Sequence, residues 1–333
     1  MVSTQISGMK TLGVILNPAA KINKKHSSDI VGGFRQIFGE SALVTSTYDK
    51  SEIPGVMKEF QAEGIKLLLI SGGDGTICNV LTTYINLFGE AGLPVIVPLM
   101  GGTINMIGDD AGLRKDQFQV SKNLHSLILN KRPIPVIKRG LIKVTDPHLP
   151  RPGYGFTWID GLLYRFLLDY YNQGAGVQVA SMMAVKLVLN SLSNTDDSEF
   201  NDIESRVYIG NEKLPYENHL LIIASSLKKF VFGFDIFKEE AKPGKTFNAV
   251  YMRSEYQKKE KLKIPLGLYR SLESDPSGNF INRSVDTMVV EKNSGYIIDG
   301  EIYNHSEEDT ITLESGPELR IYSPKGKCSL EIY

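Results

Sequence analysis

The chain has 333 residues, with 37 Lys and Arg against 38 Asp and Glu, a net charge of −1. No global field therefore draws it to nucleic acid or to an anionic membrane, and any such contact must come from a local patch. Hydrophobic residues make up 42% and charged residues 23%, the balance of a globular protein in water with enough length for two cores. Cys78 and Cys328 are too few and too far apart in sequence for a metal motif or a disulfide framework, and they fit a reducing compartment. Met1 to Lys10 lacks the apolar core of a secretion signal, and no run approaches the roughly 18 apolar residues of a membrane span. Contact with lipid is expected from the water side.

Thr11 to Leu16 reads as a first strand, stopped by Asn17 and Pro18, because proline has no N–H to give a ladder. Lys21, Lys24 and Lys25 follow, open to reading as a solvated basic loop or as a contact to nucleotide phosphate, and then a helix to about Phe38. Ala42 to Thr47 is a second strand. Ile53 to Glu63 is an amphipathic helix closed by Gly64. Leu67 to Ile70 is a third strand of the fully apolar kind that a buried parallel sheet uses. It runs into Gly72, Gly73, Asp74, Gly75 and Thr76, after which Ile77, Val80, Leu81, Tyr84, Ile85 and Phe88 recur at helical spacing. Leu93 to Leu99 is the next strand, ending at Gly101, Gly102, Thr103 and Asn105, and Phe118 to Asn130 is another helix. The alternation predicts a parallel sheet covered by helices. Pro133 and Pro135 mark a change of regime.

Beyond Val136 the pattern becomes short alternating segments with Gly, Pro and Asn punctuation: Leu141 to Thr145, Arg206 to Ile209, Leu220 to Ala224, Phe247 to Met252, Thr287 to Val290, Tyr296 to Ile298, Thr310 to Leu313 and Leu319 to Tyr322. These predict a β sandwich or barrel-like second domain. Two apolar helices are expected within it, from Gly161 to Tyr171 and from Met182 to Leu192, forming core or walling an acyl-chain pocket. Asn194 to Asp202 reads as an exposed acidic loop. The basic run from Tyr256 to Lys263 reads as a solvated face, or as a rest on anionic lipid.

A strand, a glycine turn and a helix form an anion site, because glycine lets backbone approach an oxyanion and the helix start offers free N–H groups. Two such turns at the carboxyl ends of neighbouring strands can converge on one nucleotide. Asp74 in the first turn would repel a phosphate unless a cation or a proton transfer is involved. Asp299, Gly300 and Glu301 follow a short apolar run. They read either as a surface hairpin turn or, with Asp74, as the acids of a phosphoryl transfer.

The set Asn17 and Pro18, Gly72 to Thr76, Gly102 to Asn105, and Asp299 to Glu301 resembles the diacylglycerol kinase catalytic family, which includes sphingosine and ceramide kinases and bacterial lipid kinases. The turn from Gly72 to Thr76 is shared with NAD kinases, and the late acids and β-rich second half favour the lipid kinases. The resemblance implies an α/β nucleotide-binding domain over residues 1–136, of the NAD kinase and diacylglycerol kinase type with helices on both faces of a parallel sheet. It implies a β-rich sandwich domain for the lipid acceptor over 137–325, and a tail, 326–333, that packs back on the first domain. The lipid would enter a cleft between the domains.

By the same resemblance, Asn17, Pro18, Gly72, Gly73, Asp74, Gly75, Thr76, Gly102, Thr103 and Asn105 would bind ATP. Asp74 and Glu301 would bind Mg²⁺. Asp299 would be the general base with Glu301 beside it, and Asp74 a rival base. The expected setting is cytoplasmic and peripheral on a membrane, with a lipid as partner, no nucleic acid, and a homodimer left open. The chain departs from the family where Met106 replaces an aspartate, where Lys138 and Arg139 stand for another acid, and where Ser225 and Ser226 replace Asn-Gly. No structural Mg²⁺ site is expected at Ala241 to Thr246. The acceptor is open among diacylglycerol, ceramide or another sphingoid lipid, and monoacylglycerol. A soluble NAD-type kinase and a non-catalytic nucleotide or lipid sensor are the competing readings.

Overall fold

A computed structural model describes residues 11–25, 29–102, 105–113, 116–165, 168, 202–230, 235–255, 274, 276–292, 294–304 and 308–331. The chain divides into two compact units, one formed by 1–138 with 319–333 and the other by 139–318. The apolar helix expected over Met182 to Leu192, the basic run from Tyr256 to Lys263, the acidic loop up to residue 201, and residues 166, 167 and 169–171 of the stretch from Gly161 to Tyr171 lie outside the described residues.

The first unit follows the β-α alternation. Its elements in chain order are β1 (Leu12–Leu16), α1 (Lys21–Lys25), α2 (Ile30–Phe38), β2 (Ala42–Ser46), α3 (Ile53–Ala62), β3 (Leu67–Gly72), α4 (Asp74–Phe88), β4 (Val95–Met100), α5 (Met106–Asp110) and α6 (Gln117–Leu129). The helix expected from the lysines to Phe38 is two helices, because Asp29 starts a new one by accepting the Gly32 N–H, as an N-cap does. β1, β3 and β4 are buried along their whole length, and they lie parallel in the order β4-β3-β1-β2. In register, Leu16 is beside Ser71, and Gly72 is beside Met100. The carboxyl ends of three strands thus come level at one edge, where βα turns collect ligands.

The second unit contains β5 (Ile134–Thr145), which begins in the first unit, then β6 (Gly153–Gly155), β7 (Thr157–Gly161), β8 (Ile203–Ile209), β9 (Glu212–Lys213), β10 (Asn218–His219), β11 (Leu221–Ser225), β12 (Phe247–Met252), β13 (Phe280–Val285), β14 (Thr287–Lys292), β15 (Tyr296–Ile298), β16 (Glu301–Tyr303) and β17 (Asp309–Tyr322), which ends in the first. A six-stranded antiparallel sheet runs β13-β12-β11-β7-β15-β16, and β10-β8-β14-β17 form a second antiparallel set. A last strand, β18 (Cys328–Leu330), pairs with the start of β5. Gly161, at φ +78, closes β7, and the helix expected from it begins at Leu162.

The two short strands expected at Thr310 to Leu313 and Leu319 to Tyr322 are one strand, β17, running through Pro317. Pro317 falls between the ladder to β14, which ends at Glu314, and the pairing of Ile321 with Ile96, so neither of those two ladders needs its missing N–H. Pro135 likewise lies inside β5, where its carbonyl accepts the Ser323 N–H at 3.0 Å. Among the described residues no helix is long and apolar enough to cross a membrane.

Candidate functional site: two glycine turns and a buried aspartate

At the level ends of β1, β3 and β4 the backbone is drawn together by its own hydrogen bonds. The Gly101 N–H donates to Gly72 O at 2.8 Å, and the Asn17 N–H donates to Ser71 O at 2.9 Å. The two glycine turns touch. A Cβ on Gly102 would lie 2.5 Å from Gly73 Cα, and one on Gly72 would lie 2.5 Å from the Thr76 side chain. These are contacts that backbone cannot relieve by a rotamer change, so glycine is required for the approach. Asn17 joins the set, donating from Nδ2 to Thr76 Oγ1 at 3.2 Å while its Oδ1 accepts the Ala19 N–H at 2.9 Å. Asn105 closes the second turn on itself, accepting from Gly102 N–H and donating to Gly102 O, each at 3.1 Å. Thr103 lies outside the described residues.

Asp74 is the first residue of α4 and is buried. Its Oδ2 accepts the Met106 N–H at 2.9 Å and its Oδ1 accepts the Ile107 N–H at 3.2 Å. The carboxylate therefore clamps the start of α5, and so the second turn, to the first. Where the family pattern has an acid, Met106 contributes only its backbone, and Asp74 holds that backbone. A 15-residue helix starting at Asp74 presents N–H groups with no intrahelical partner, the favourable place for an oxyanion.

The structure brings Asn17, Gly72, Gly73, Asp74, Gly75, Thr76, Gly102 and Asn105 together, with Pro18 in the turn after β1. Mg²⁺ arriving on nucleotide phosphates keeps several waters and takes one or two carboxylates. A single acid at paired glycine turns fits such an ion. Among the described residues, no group of three or more His, Cys, Asp and Glu forms a protein cage for one.

Asp299 belongs to the second unit. It and Gly300 have φ +46 and +87, and Ile298 pairs with Glu301 across them. This is the two-residue turn with both central residues left-handed that joins tight hairpins, and Asp-Gly suits it. The hairpin reading was right about geometry and wrong about exposure, because Asp299 is only 1% exposed. Its Oδ2 accepts the Phe156 N–H, and its Oδ1 accepts both the Thr157 N–H and the Thr157 hydroxyl, all at 2.8 Å. Gly155 makes the seat, since a Cβ there would meet Asp299 Oδ2 at 2.9 Å and Ile298 at 2.3 Å.

Burial pushes the Asp299 carboxyl up to about 6, the three donors pull it down less, and Glu301 adds to the rise. Glu301 itself is half-buried on β16. Gly155 and Thr157 are the site residues that sequence reading missed. Gly155 ends β6 and Thr157 opens β7, the carboxylate they seat lies more than 140 residues away, and a Gly-x-Thr spacing alone carries no signal.

On the opposite face of β7 the structure places a buried ion cluster. Lys292 Nζ lies 2.7 Å from Asp160 Oδ2, which is 3.1 Å from His219 Nε2, and Ser205 Oγ is 2.6 Å from His219 Nδ1. Burial raises Asp160, but Lys292 and His219 outweigh it and hold the carboxyl down at about 2.

Residues 11–137 match the model of the diacylglycerol kinase catalytic domain. No curated protein matches the sequence. Among solved structures, a diacylglycerol kinase from Bacillus anthracis strain Sterne superposes with a TM-score of 0.62 at 16% identity, covering 95% of this chain and 98% of that one. Another protein of the same strain, provisionally assigned as a diacylglycerol kinase, gives a TM-score of 0.64 at 18% identity over 95% of this chain and 98% of its own. At these identities the likeness is one of fold.

Proposed function

From the match of residues 11–137 to the diacylglycerol kinase catalytic domain, we propose that the chain belongs to that family and is an ATP-dependent lipid kinase working at a membrane surface. The acceptor is the primary hydroxyl of diacylglycerol, of ceramide or another sphingoid lipid, or of monoacylglycerol. The hydroxyl oxygen forms the new bond to the γ-phosphorus, the bond to the β,γ-bridging oxygen breaks, and the hydroxyl proton passes to a carboxylate while ADP leaves. Bound Mg²⁺ supplies charge neutralisation on the phosphates, with Asp74 as the carboxylate to hold it. The glycine turns bind and orient the nucleotide. Asp299 receives the proton and Glu301 supports its basicity.

The observation that carries this reading is the state of Asp299. A carboxyl pushed to about 6 is ionised at neutral pH yet basic enough to take a proton in a transition state. It is fixed by Phe156 and Thr157 through three hydrogen bonds, out of about four that a carboxylate can accept. One position is left for the acceptor hydroxyl.

Incubation with labelled ATP, Mg²⁺ and a total lipid extract should yield a labelled lipid. Asp299→Asn should lower its formation about a hundred-fold or more without loss of nucleotide binding. Labelling of NAD and of no lipid would replace this reading with the soluble NAD-type kinase, and ATP binding without turnover would replace it with the sensor.

A further inference from the structure

Beneath the two glycine turns lies a buried amide cluster that phosphate binding as described above does not use. Asn23, in α1, is 1% exposed. Its Nδ2 donates to Asn17 O at 2.8 Å and to Ser71 Oγ at 3.0 Å, with Ser71 O at 3.3 Å. Its Oδ1 accepts from Gln117 Nε2 at 2.8 Å. The Ser71 hydroxyl donates in turn to Gln117 Oε1. The same Asn23 amide sits 3.0 Å from where a Cβ on Gly101 would stand, and the neighbouring Ile22 N–H donates to Gly101 O at 2.9 Å. One side chain thus ties the end of β1, the end of β3 and the start of α6, and presses on the second glycine turn.

Both ends of the amide are spoken for, so it can face only one way, and Gln117 fixes that orientation. Resting on the assignment of the glycine turns to nucleotide phosphates, we propose that Asn23, oriented by Gln117, is a positioning residue that sets nucleotide affinity. It does so by holding α1 and the second turn in register with the first. Without the Nδ2 donor, Asn17 O and Ser71 O lose a partner in a buried place, which costs more than an unmade bond at the surface. The least costly relief is for α1 to lift, and Ile22 lifts with it and releases Gly101. α1 carries Lys21 and Lys24, both exposed, so the basic flank of the turns moves too. Nothing in this chain of contacts reaches the second unit, so the acceptor lipid should not sense the change.

Asn23→Asp keeps the shape and the acceptor for Gln117 but cannot donate. Gln117→Met leaves every bond of Nδ2 in place and removes the donor that orients it, together with the acceptor of the Ser71 hydroxyl. Nucleotide binding to the full-length chain, measured by calorimetry with ATP and with ADP, should weaken about tenfold in Asn23→Asp and about threefold in Gln117→Met. The KM for the lipid acceptor should stay unchanged in both.

Wild-type affinity in both variants overturns the proposal, as does a loss shared equally between nucleotide affinity, lipid KM and active fraction, which is what general loosening would give. Should Asn23→Asp fail to fold, Gln117→Met decides by the same criteria. A wild-type chain that binds no nucleotide overturns the underlying kinase reading and this proposal with it. Nucleotide binding that Asn23 does not influence overturns this proposal alone.

Discussion

The carboxyl of Asp299 titrates at about 6 because burial outweighs the donors that favour its ionised form. Two consequences follow with opposite signs. As a base it must be deprotonated, so kcat/KM for lipid phosphorylation should fall with unit slope below about pH 6, and Asp299→Asn should lose that limb along with the rate. For stability, a pKa raised on folding favours the protonated chain. The contribution is full below the unfolded value near 4 and is lost as pH rises through about 6. The wild type should gain on the order of 2 kcal/mol from this group between pH 7.5 and pH 4.5, a gain that Asp299→Asn lacks when unfolding free energies are compared at the two pH values.

Asp74 makes a different prediction. If its carboxylate clamps Met106 and Ile107, then Asp74→Ala should weaken ADP binding about tenfold or more even in chelator. A residue that served only Mg²⁺ would leave metal-free binding intact.

At the scale of elements, the two turns depend on backbone lying against backbone. Gly102→Ala places a methyl 2.5 Å from Gly73 Cα, so ATP affinity should drop by two orders of magnitude or more, while far-UV circular dichroism changes little. Gly55, in α3 with open space around it and no left-handed backbone, is the control position. This pair of turns was legible in the sequence because each follows an all-apolar strand, and a glycine pair there has few other uses. What holds the turns was not legible. Asp74 is 32 residues from the N–H it accepts and Asn23 is 94 from Gln117, and only the strand register brings them together. The Asp-Gly turn at Asp299 was legible as a hairpin, but its burial depends on Gly155 and Thr157 arriving from β6 and β7, which local pattern does not announce. The segments Thr310 to Leu313 and Leu319 to Tyr322 read as two strands because the apolar pattern lapses between them, whereas the backbone runs through as β17.

At the scale of the whole molecule, the second unit is pinned by charge as well as by its apolar face. Ile159, Leu221, Ile223, Val250, Phe280 and Ile297 cluster in its core, whereas Lys292, Asp160 and His219 bind one another in its interior. Removing one partner of such a buried pair costs about 3–5 kcal/mol, so Lys292→Met should lower the unfolding midpoint sharply without altering nucleotide affinity. Because Asp160 is held down at about 2, its contribution is present above the unfolded value near 4 and fades as pH falls toward 2. In Lys292→Met the acid-unfolding midpoint should shift to higher pH.

The first unit is built from 1–138 and 319–333, with the whole of the second unit's sequence between them. Ile321 beside Ile96, and Cys328 beside Val136, are supplied only after that long insertion has been translated. A ribosome therefore releases the nucleotide-binding unit with its sheet edge open, and the edge is covered only when the final strands emerge. β4 pairs with β3 on one side, and until β17 arrives its other edge, which ends at the second glycine turn, stays open for chaperones to guard.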